Sequence, residues 1–155
     1  MLVGENTTDN ILELIDELKL EGDVILAADP TTYKIAGKKI ENLLKPSYKV
    51  RVETVQNARM ESVKQIEGAI KGSRNRFAIA VGGGAVIDVV KLACKNKGIE
   101  YISVPTAAAH DGIASARASI KTDGGTVSKG ANAPIGVLAD TSIIKDAPFR
   151  LLASG

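Results

Sequence analysis

The sequence predicts an α/β fold: a doubly wound, mostly parallel sheet of Rossmann-like layout with helices on both faces. Three observations predict it. The short runs Val24–Ala28, Phe77–Val81 and Ile135–Ala139 are apolar or small throughout, the composition of strands buried on both sides. Segments with apolar residues at helical spacing stand between such runs, so strand and helix alternate through Val104. The runs end abruptly, at Asp29-Pro30, Gly82-Gly83-Gly84, Pro105 and Asp140, which are residues that punctuate structure.

In chain order, residues 8 to 20 form an amphipathic helix with Ile11, Leu12, Leu14, Ile15 and Leu18 on one face, Thr7 or Thr8 as N-cap, and Gly22 as its end. After Val24–Ala28, Thr31 or Thr32 caps a second helix carrying Ile35, Ala36, Ile40, Leu43 and Leu44. Tyr48, Val50 and Val52 alternate as a strand, and Met60, Val63, Ile66 and Ile70 lie on one side of the next helix. Phe77–Val81 runs into the triple glycine, a helix covers about Ala85 to Lys95, and Tyr101–Val104 is a strand. Residues 106 to 115 are small and polar, which predicts a loop. Ala118–Ile120, Asp123-Gly124-Gly125 and Thr126-Val127 predict a hairpin. Ile135–Ala139 is a last buried strand, followed by two short helical pieces, Ser142–Ala147 and Pro148–Ala153.

Composition narrows the function. At 155 residues, 45% hydrophobic and 25% charged, the chain suits one globular domain and excludes a disordered one. Its 20 basic and 18 acidic residues leave a net charge of +2, which cannot form the broad basic footprint of a nucleic-acid binder. Cys94 is the single cysteine, so neither a disulfide framework nor a thiolate-only zinc site can form, and the single histidine, His110, excludes a multi-histidine metal site within these residues. No apolar run approaches the ~20 residues of a membrane helix, and no signal-peptide pattern opens the chain. A soluble, cytoplasmic protein without membrane or nucleic-acid partners is expected.

Four features can carry chemistry, and each has a plainer alternative. The strand–Gly82-Gly83-Gly84–helix turn lets a ligand approach the main chain and offers free N–H groups at the positive end of a helix dipole to a diphosphate. It lacks the G-x-G-x-x-G spacing, and the pattern alone divides evenly between a phosphate cradle and a tight turn. Asp88, on the first turn of that helix, either complements the dipole or bonds a ligand near the glycines. Asp29, just beyond a strand's C-terminal end, is placed to accept from a ribose or simply to open an Asp-Pro turn. His110-Asp111-Gly112 is either an acid–base or hydroxyl-binding pair or a solvated loop. Cys94 reads as a small core residue, and Lys91 and Lys95 as a solvated helix face.

Three segments in order carry a family resemblance: Ala80-Val81-Gly82-Gly83-Gly84-Ala85-Val86-Ile87-Asp88-Val89-Val90-Lys91, then Ile102 through Ser115 with its Pro105-Thr106 and His110-Asp111-Gly112-Ile113, then Val137-Leu138-Ala139-Asp140-Thr141 with Ala147-Pro148-Phe149-Arg150. Over essentially the whole chain they resemble the sn-glycerol-1-phosphate dehydrogenases, of the superfamily that also holds glycerol dehydrogenases, iron-dependent alcohol dehydrogenases and 3-dehydroquinate synthases. Ala109 and Ala116 depart from the pattern, where serine and proline are usual.

The resemblance implies the cofactor-binding N-terminal domain (residues 1–155) of a two-domain enzyme. A dinucleotide, NAD or NADP, would lie over Gly82, Gly83 and Gly84 with Ala85, Val86, Ile87 and Asp88 lining it. Thr106, Ala107, Ala108 and Ala109 would pass beside the nicotinamide half, Ser115 would contact cofactor, and Asp29 would sit near the adenosine ribose. Asp111 would hold the substrate hydroxyls. The resemblance also implies a helical C-terminal domain, absent from these residues, that supplies histidine ligands to zinc and the phosphate-binding groups. It further implies reduction of dihydroxyacetone phosphate for archaeal ether lipids, a small phosphorylated triose as substrate, and a homo-oligomer. Glycerol oxidation, a dehydroquinate-synthase-type cyclisation and a non-catalytic nucleotide-binding role are the competing readings.

Overall fold

A computed structural model describes residues 1–71, 76–107 and 113–146. Its centre is a six-stranded sheet in the order β1-β8-β5-β4-β2-β3. The strands are β1 (Leu2–Gly4), β2 (Val24–Ala28), β3 (Val50–Thr54), β4 (Phe77–Gly82), β5 (Tyr101–Pro105) and β8 (Gly136–Asp140). Every pairing is parallel, with Ala28 opposite Val81 and Val81 opposite Val104. The expected doubly wound parallel sheet is therefore present.

Parallel strands need crossovers, and these put apolar side chains on both sheet faces. On one face Val24, Leu26, Phe77, Ile79, Ile102 and Val104 pack against Ile11 and Ile15 of α1 (Ile11–Glu17) and Ile40 and Leu44 of α3 (Lys38–Leu44). On the other, Ile25, Ala27, Ala78, Ala80 and Tyr101 meet α4 (Met60–Lys71) and α5 (Gly84–Lys97) through residues such as Val63, Ile66, Val89, Val90 and Ala93. The alanines on this second face let the two helices approach the sheet closely. Each fully buried Val, Leu or Ile contributes about 1.5–3 kcal/mol, so these two layers hold the domain together. The hairpin is β6 (Arg117–Thr122) and β7 (Gly125–Gly130), an antiparallel pair whose Ala118 and Ile120 sit on the α4/α5 side.

Several local expectations are corrected. The first helix begins as a 3-10 turn, Thr7–Asn10, with Asn6 in the left-handed region at its N-cap and no side-chain cap. Thr8 instead donates to Asp140. The helix ends before Gly22, at Lys19 (φ 55°), where Lys19 and Leu20 N–H groups bond the Asp16 and Ile15 carbonyls. The second helix is capped not by a threonine but by Asp29, whose Oδ1 accepts from Thr32 N (2.7 Å) while Thr32 Oγ1 accepts from Asp29 N (3.0 Å). After α2 (Pro30–Thr32) that helix passes through a π-helical stretch, Tyr33–Gly37, before α3. The wider turn puts Ile35 in solvent, 52% exposed, while Ala36 and Ile40 remain buried. Strand β1 has no counterpart among the expected elements, being too short to show an alternation.

Asp140 is what fastens β1. Its carboxylate, 1% exposed, accepts from Asn6 N (2.9 Å), Thr8 N (3.1 Å), Thr8 Oγ1 (3.0 Å) and Ser142 N (3.0 Å), with a further bond from Ser142 Oγ. It thereby joins the N-terminal segment to the start of α6 (Thr141–Ile144). Burial raises its pKa, and the bonds from Ser142, Thr8 and Asn6 lower it by more, leaving it below the ordinary carboxylate value. A depressed folded-state pKa stabilises the fold above the unfolded value, and that stabilisation is lost as pH falls through the folded one. Urea denaturation is expected to show Asp140→Ala less stable by about 2–4 kcal/mol at neutral pH, with the difference shrinking in acid. An Asp140→Ala curve superimposable on the parent at pH 7 would contradict this.

Candidate functional site

The order of the sheet fixes where a ligand can sit. From β2 the chain moves outward to β3, then returns past β2 to β4 and continues to β5 on the other side. The direction of winding reverses between β2 and β4, and the connections leaving their C-terminal ends diverge to opposite faces. Such a switch point leaves a crevice at the carboxyl edge of the sheet. Asp29 follows β2 directly, the glycine turn follows β4 and Thr106 follows β5, so these three predicted positions lie along one rim. Thr32 Oγ1 donates to Val81 O (2.9 Å), and Thr106 N donates to Gly82 O (3.1 Å).

The three glycines are not equivalent. A Cβ on Gly82 would stand 2.8 Å from Val86 Cγ2 and 2.9 Å from Val86 Cβ, so glycine there serves packing beneath the turn. Among the described residues a Cβ on Gly83 would meet nothing within 4 Å, and its backbone is extended (φ −88°, ψ −165°), so no contact with them demands glycine. Gly83 is the N-cap of α5, a helix of 14 residues that starts without a side-chain cap. Part-exposed main chain at a helix N-terminus, placed at a switch point, is chemically suited to an anionic group. The cradle and tight-turn readings thus divide between neighbours: Gly82 is structural, and Gly83 leaves room for something outside.

Among the remaining predicted residues, Gly84 is part-exposed and Ala85 exposed at the turn, whereas Val86, Ile87 and Asp88 are buried. Val86 and Ile87 side chains belong to the core cluster, so any contact they make at the turn is through main chain. Thr106 and Ala107 are each 8% exposed. Asp29, half-buried, uses Oδ1 as a cap, and a carboxylate has a second oxygen with which to accept. Ala108, Ala109, His110 and Asp111 lie outside the described residues.

Sequence reasoning misplaced Lys91. It is not on a solvated face but 0% exposed, 3.8 Å from Asp88 Oδ1, and it donates to Arg117 O (3.0 Å) and Ser115 Oγ (3.3 Å). Burial lowers its pKa, and the Asp88 carboxylate opposes that shift. Asp88 stands on the second turn of α5, not the first as expected, since the helix begins at Gly84, and its Oδ2 accepts from Ser119 N (3.1 Å), so this carboxylate is engaged with the hairpin. Lys95 reaches Gly130 O (2.9 Å) at the hairpin's far end. The spacing Asp88-x-x-Lys91 was the available signal, since residues three apart share a helix face. Cys94 is buried as expected, and burial pushes its thiol well above the usual range.

No group of three or more His, Cys, Asp or Glu comes together as a metal site among the described residues. No helix among them is long and apolar enough to cross a membrane. The contrast between the glycines can be measured directly. Gly82→Ala should lower stability by about 1–3 kcal/mol through overpacking against Val86. Gly83→Ala should change it by about 0.5 kcal/mol or less. Equal losses in thermal or urea unfolding would contradict the assignment.

Known proteins agree with this layout. Residues 2–148 match the model of the iron-containing alcohol dehydrogenase family. The chain is 43% identical over its full length to glycerol-1-phosphate dehydrogenase, NAD(P)+, of Pyrococcus furiosus, covering 45% of that protein. It is 48% identical over 98% of its length to the enzyme of the same name from Methanosphaera stadtmanae, covering 43% of it. The chain thus spans less than half the length of these relatives. Among solved structures, glycerol dehydrogenase from Schizosaccharomyces pombe superposes with a TM-score of 0.83 at 23% identity, over 99% of this chain and 40% of that one. A 2-deoxy-scyllo-inosose synthase complexed with carbaglucose-6-phosphate, NAD+ and Co2+ gives 0.81 at 22%, over 97% of this chain and 45% of that one. These two likenesses concern the fold. With the family model matching nearly its whole length, the chain belongs to the iron-containing alcohol dehydrogenase family.

Proposed function

We propose that this chain is the cofactor-binding part of an NAD(P)-dependent sn-glycerol-1-phosphate dehydrogenase. The observation that carries the reading is the open main chain at Gly83, at the N-terminus of α5 and at the sheet's switch point. The amides of the first turn of α5 would hold the diphosphate, with Gly83 admitting it closely. Asp29 would accept from the ribose on the β2 side, and Thr106 with Ala107 would border the other nucleoside on the β5 side. When bound, the dinucleotide supplies hydride to a carbonyl. This chain's contribution is to hold and orient it and to exclude water from the β5 side.

The names of the relatives from Pyrococcus furiosus and Methanosphaera stadtmanae favour glycerol-1-phosphate over glycerol or dehydroquinate-type substrates. Dihydroxyacetone phosphate is accordingly the proposed substrate, with Asp111 bonding its hydroxyl and ether-lipid glycerophosphate as the product's use. Since this chain spans less than half the length of those relatives, we assign the zinc ligands and the phosphate-binding groups to the remainder of such an enzyme, with a homo-oligomer as its assembly. A cytoplasmic location accords with such a substrate.

Three outcomes test the reading. Fluorescence titration should show NADH bound by this chain, and Gly83→Val should weaken binding by about 2 kcal/mol, roughly thirtyfold, by crowding the diphosphate; unchanged affinity in a folded variant would remove the cradle. NADH and NADPH should bind within about a hundredfold of each other, ~2.7 kcal/mol. Asp29 disfavours a 2′-phosphate, whereas the exposed Thr31 and Lys34 beside it can receive one, the Thr32 hydroxyl being taken by Asp29 N and Val81 O. With NADH, zinc and dihydroxyacetone phosphate, the 155-residue chain should show no turnover by absorbance. Zinc-dependent turnover would show that the catalytic groups are complete within it.

A further inference from the structure

The free edge of β6 is not left bare. Arg117 O accepts from Lys91 Nζ (3.0 Å), Ser119 N donates to Asp88 Oδ2 (3.1 Å), and Lys121 N donates to Ala58 O (2.7 Å). Main-chain groups of this strand edge are thus met by two side chains of α5 and, at Lys121, by a parallel bridge to the Ala58–Arg59 stretch. Ser115 Oγ, just before β6, accepts from the same ammonium (3.3 Å). Side chains on a helix lean toward its N-terminus, so the Lys91 ammonium lies back over Asp88, toward the turn at Gly83.

We propose that Lys91, set by Asp88, is a positioning residue: it fixes Ser115 and the start of the hairpin relative to the glycine turn, and so sets the wall of the crevice beyond the β5 side. This rests on the dinucleotide reading above. The first turn of this helix would hold the diphosphate and the Asp88–Lys91 pair follows it on the same helix, so the start of the hairpin is tied to the element whose N-terminus would bind cofactor. An ion pair is a costly way to close a strand edge. Burying an ammonium requires acceptors in good geometry for its three donors, where apolar side chains of similar volume would pack at no such cost. What the charged pair adds is direction: one donor and one acceptor at fixed positions along the strand, which specify a single register for the hairpin.

The test compares the parent chain with Lys91→Met and with the isosteric neutral pair Asp88→Asn/Lys91→Met, which keeps an acceptor for Ser119 N if the single variant fails to fold. NADH and ADP-ribose, which lacks the nicotinamide, are titrated in parallel, and amide hydrogen exchange is followed at Ser119 and Lys121. The expected result is a loss of NADH affinity of about tenfold or more, ADP-ribose affinity within about threefold of the parent, and faster exchange on β6 than on β4. Equal losses for both ligands would reduce the pair to general stability, and unchanged NADH affinity in a folded variant would overturn the assignment. A parent chain that binds neither ligand would remove the dinucleotide reading and this role with it, an outcome distinguished from the others by needing no variant.

Discussion

The pairing of β2 with β4 is the constraint on which the remainder depends. These strands, bonded from Val24–Phe77 to Ala28–Val81, are buried along their whole length. They can be satisfied only if helices cover both faces. Covering both faces requires the chain to reverse its winding once, and the reversal separates the connections after Ala28 and Gly82. The crevice is therefore a by-product of burying a parallel sheet rather than an addition to it. Asp29, Gly83 and Thr106 gather there because each begins a connection that must leave the same edge.

What the sequence revealed follows the strength of the physical signal. Val24–Ala28 and Phe77–Val81 were legible as unbroken apolar runs cut off by turn residues, and α4 by apolar residues recurring at helical spacing. The hairpin was legible because Asp123-Gly124-Gly125 demands a turn; Gly125 indeed takes φ 121°. The glycine turn was legible as a place but not as a mechanism. That Gly82 answers to Val86 and Gly83 to open space is a three-dimensional distinction between identical letters. Strand β1 escaped because three residues carry no period, and its partner lies at Leu138–Asp140. Ile35 misled because a π turn changes which residues share a face, and nothing in composition marks one.

Lys91 shows a different limit. A lysine amid Val89, Val90, Leu92 and Ala93 on a helix is by default a solvated charge, and only the hairpin crossing that face converts it into an interior group. Its environment then becomes demanding: the carboxylate three residues back, a main-chain carbonyl and a hydroxyl are arranged around it. Asp140 is the counterpart at the other end of the sheet, a buried carboxylate offset by amide and hydroxyl donors instead of by a cation. Both groups tie a neighbouring segment to the element that carries them: Asp140 ties the turn after β1 to β8, and Lys91 ties the hairpin to α5.

The β1–β8 junction has a consequence for the order of assembly. The Asn6 and Thr8 groups that meet Asp140 lie 134 and 132 residues from it along the chain. During synthesis the first strand therefore emerges long before its partner exists. It must remain unpaired while β2 through β5 build the interior, because contacts of high sequence separation form late. Leu2–Gly4 has only three residues with which to compete for a wrong partner meanwhile, and that brevity limits premature pairing along an exposed edge. The junction therefore closes through one carboxylate: when Asp140 arrives, the Leu2–Thr8 segment gains its most distant partners.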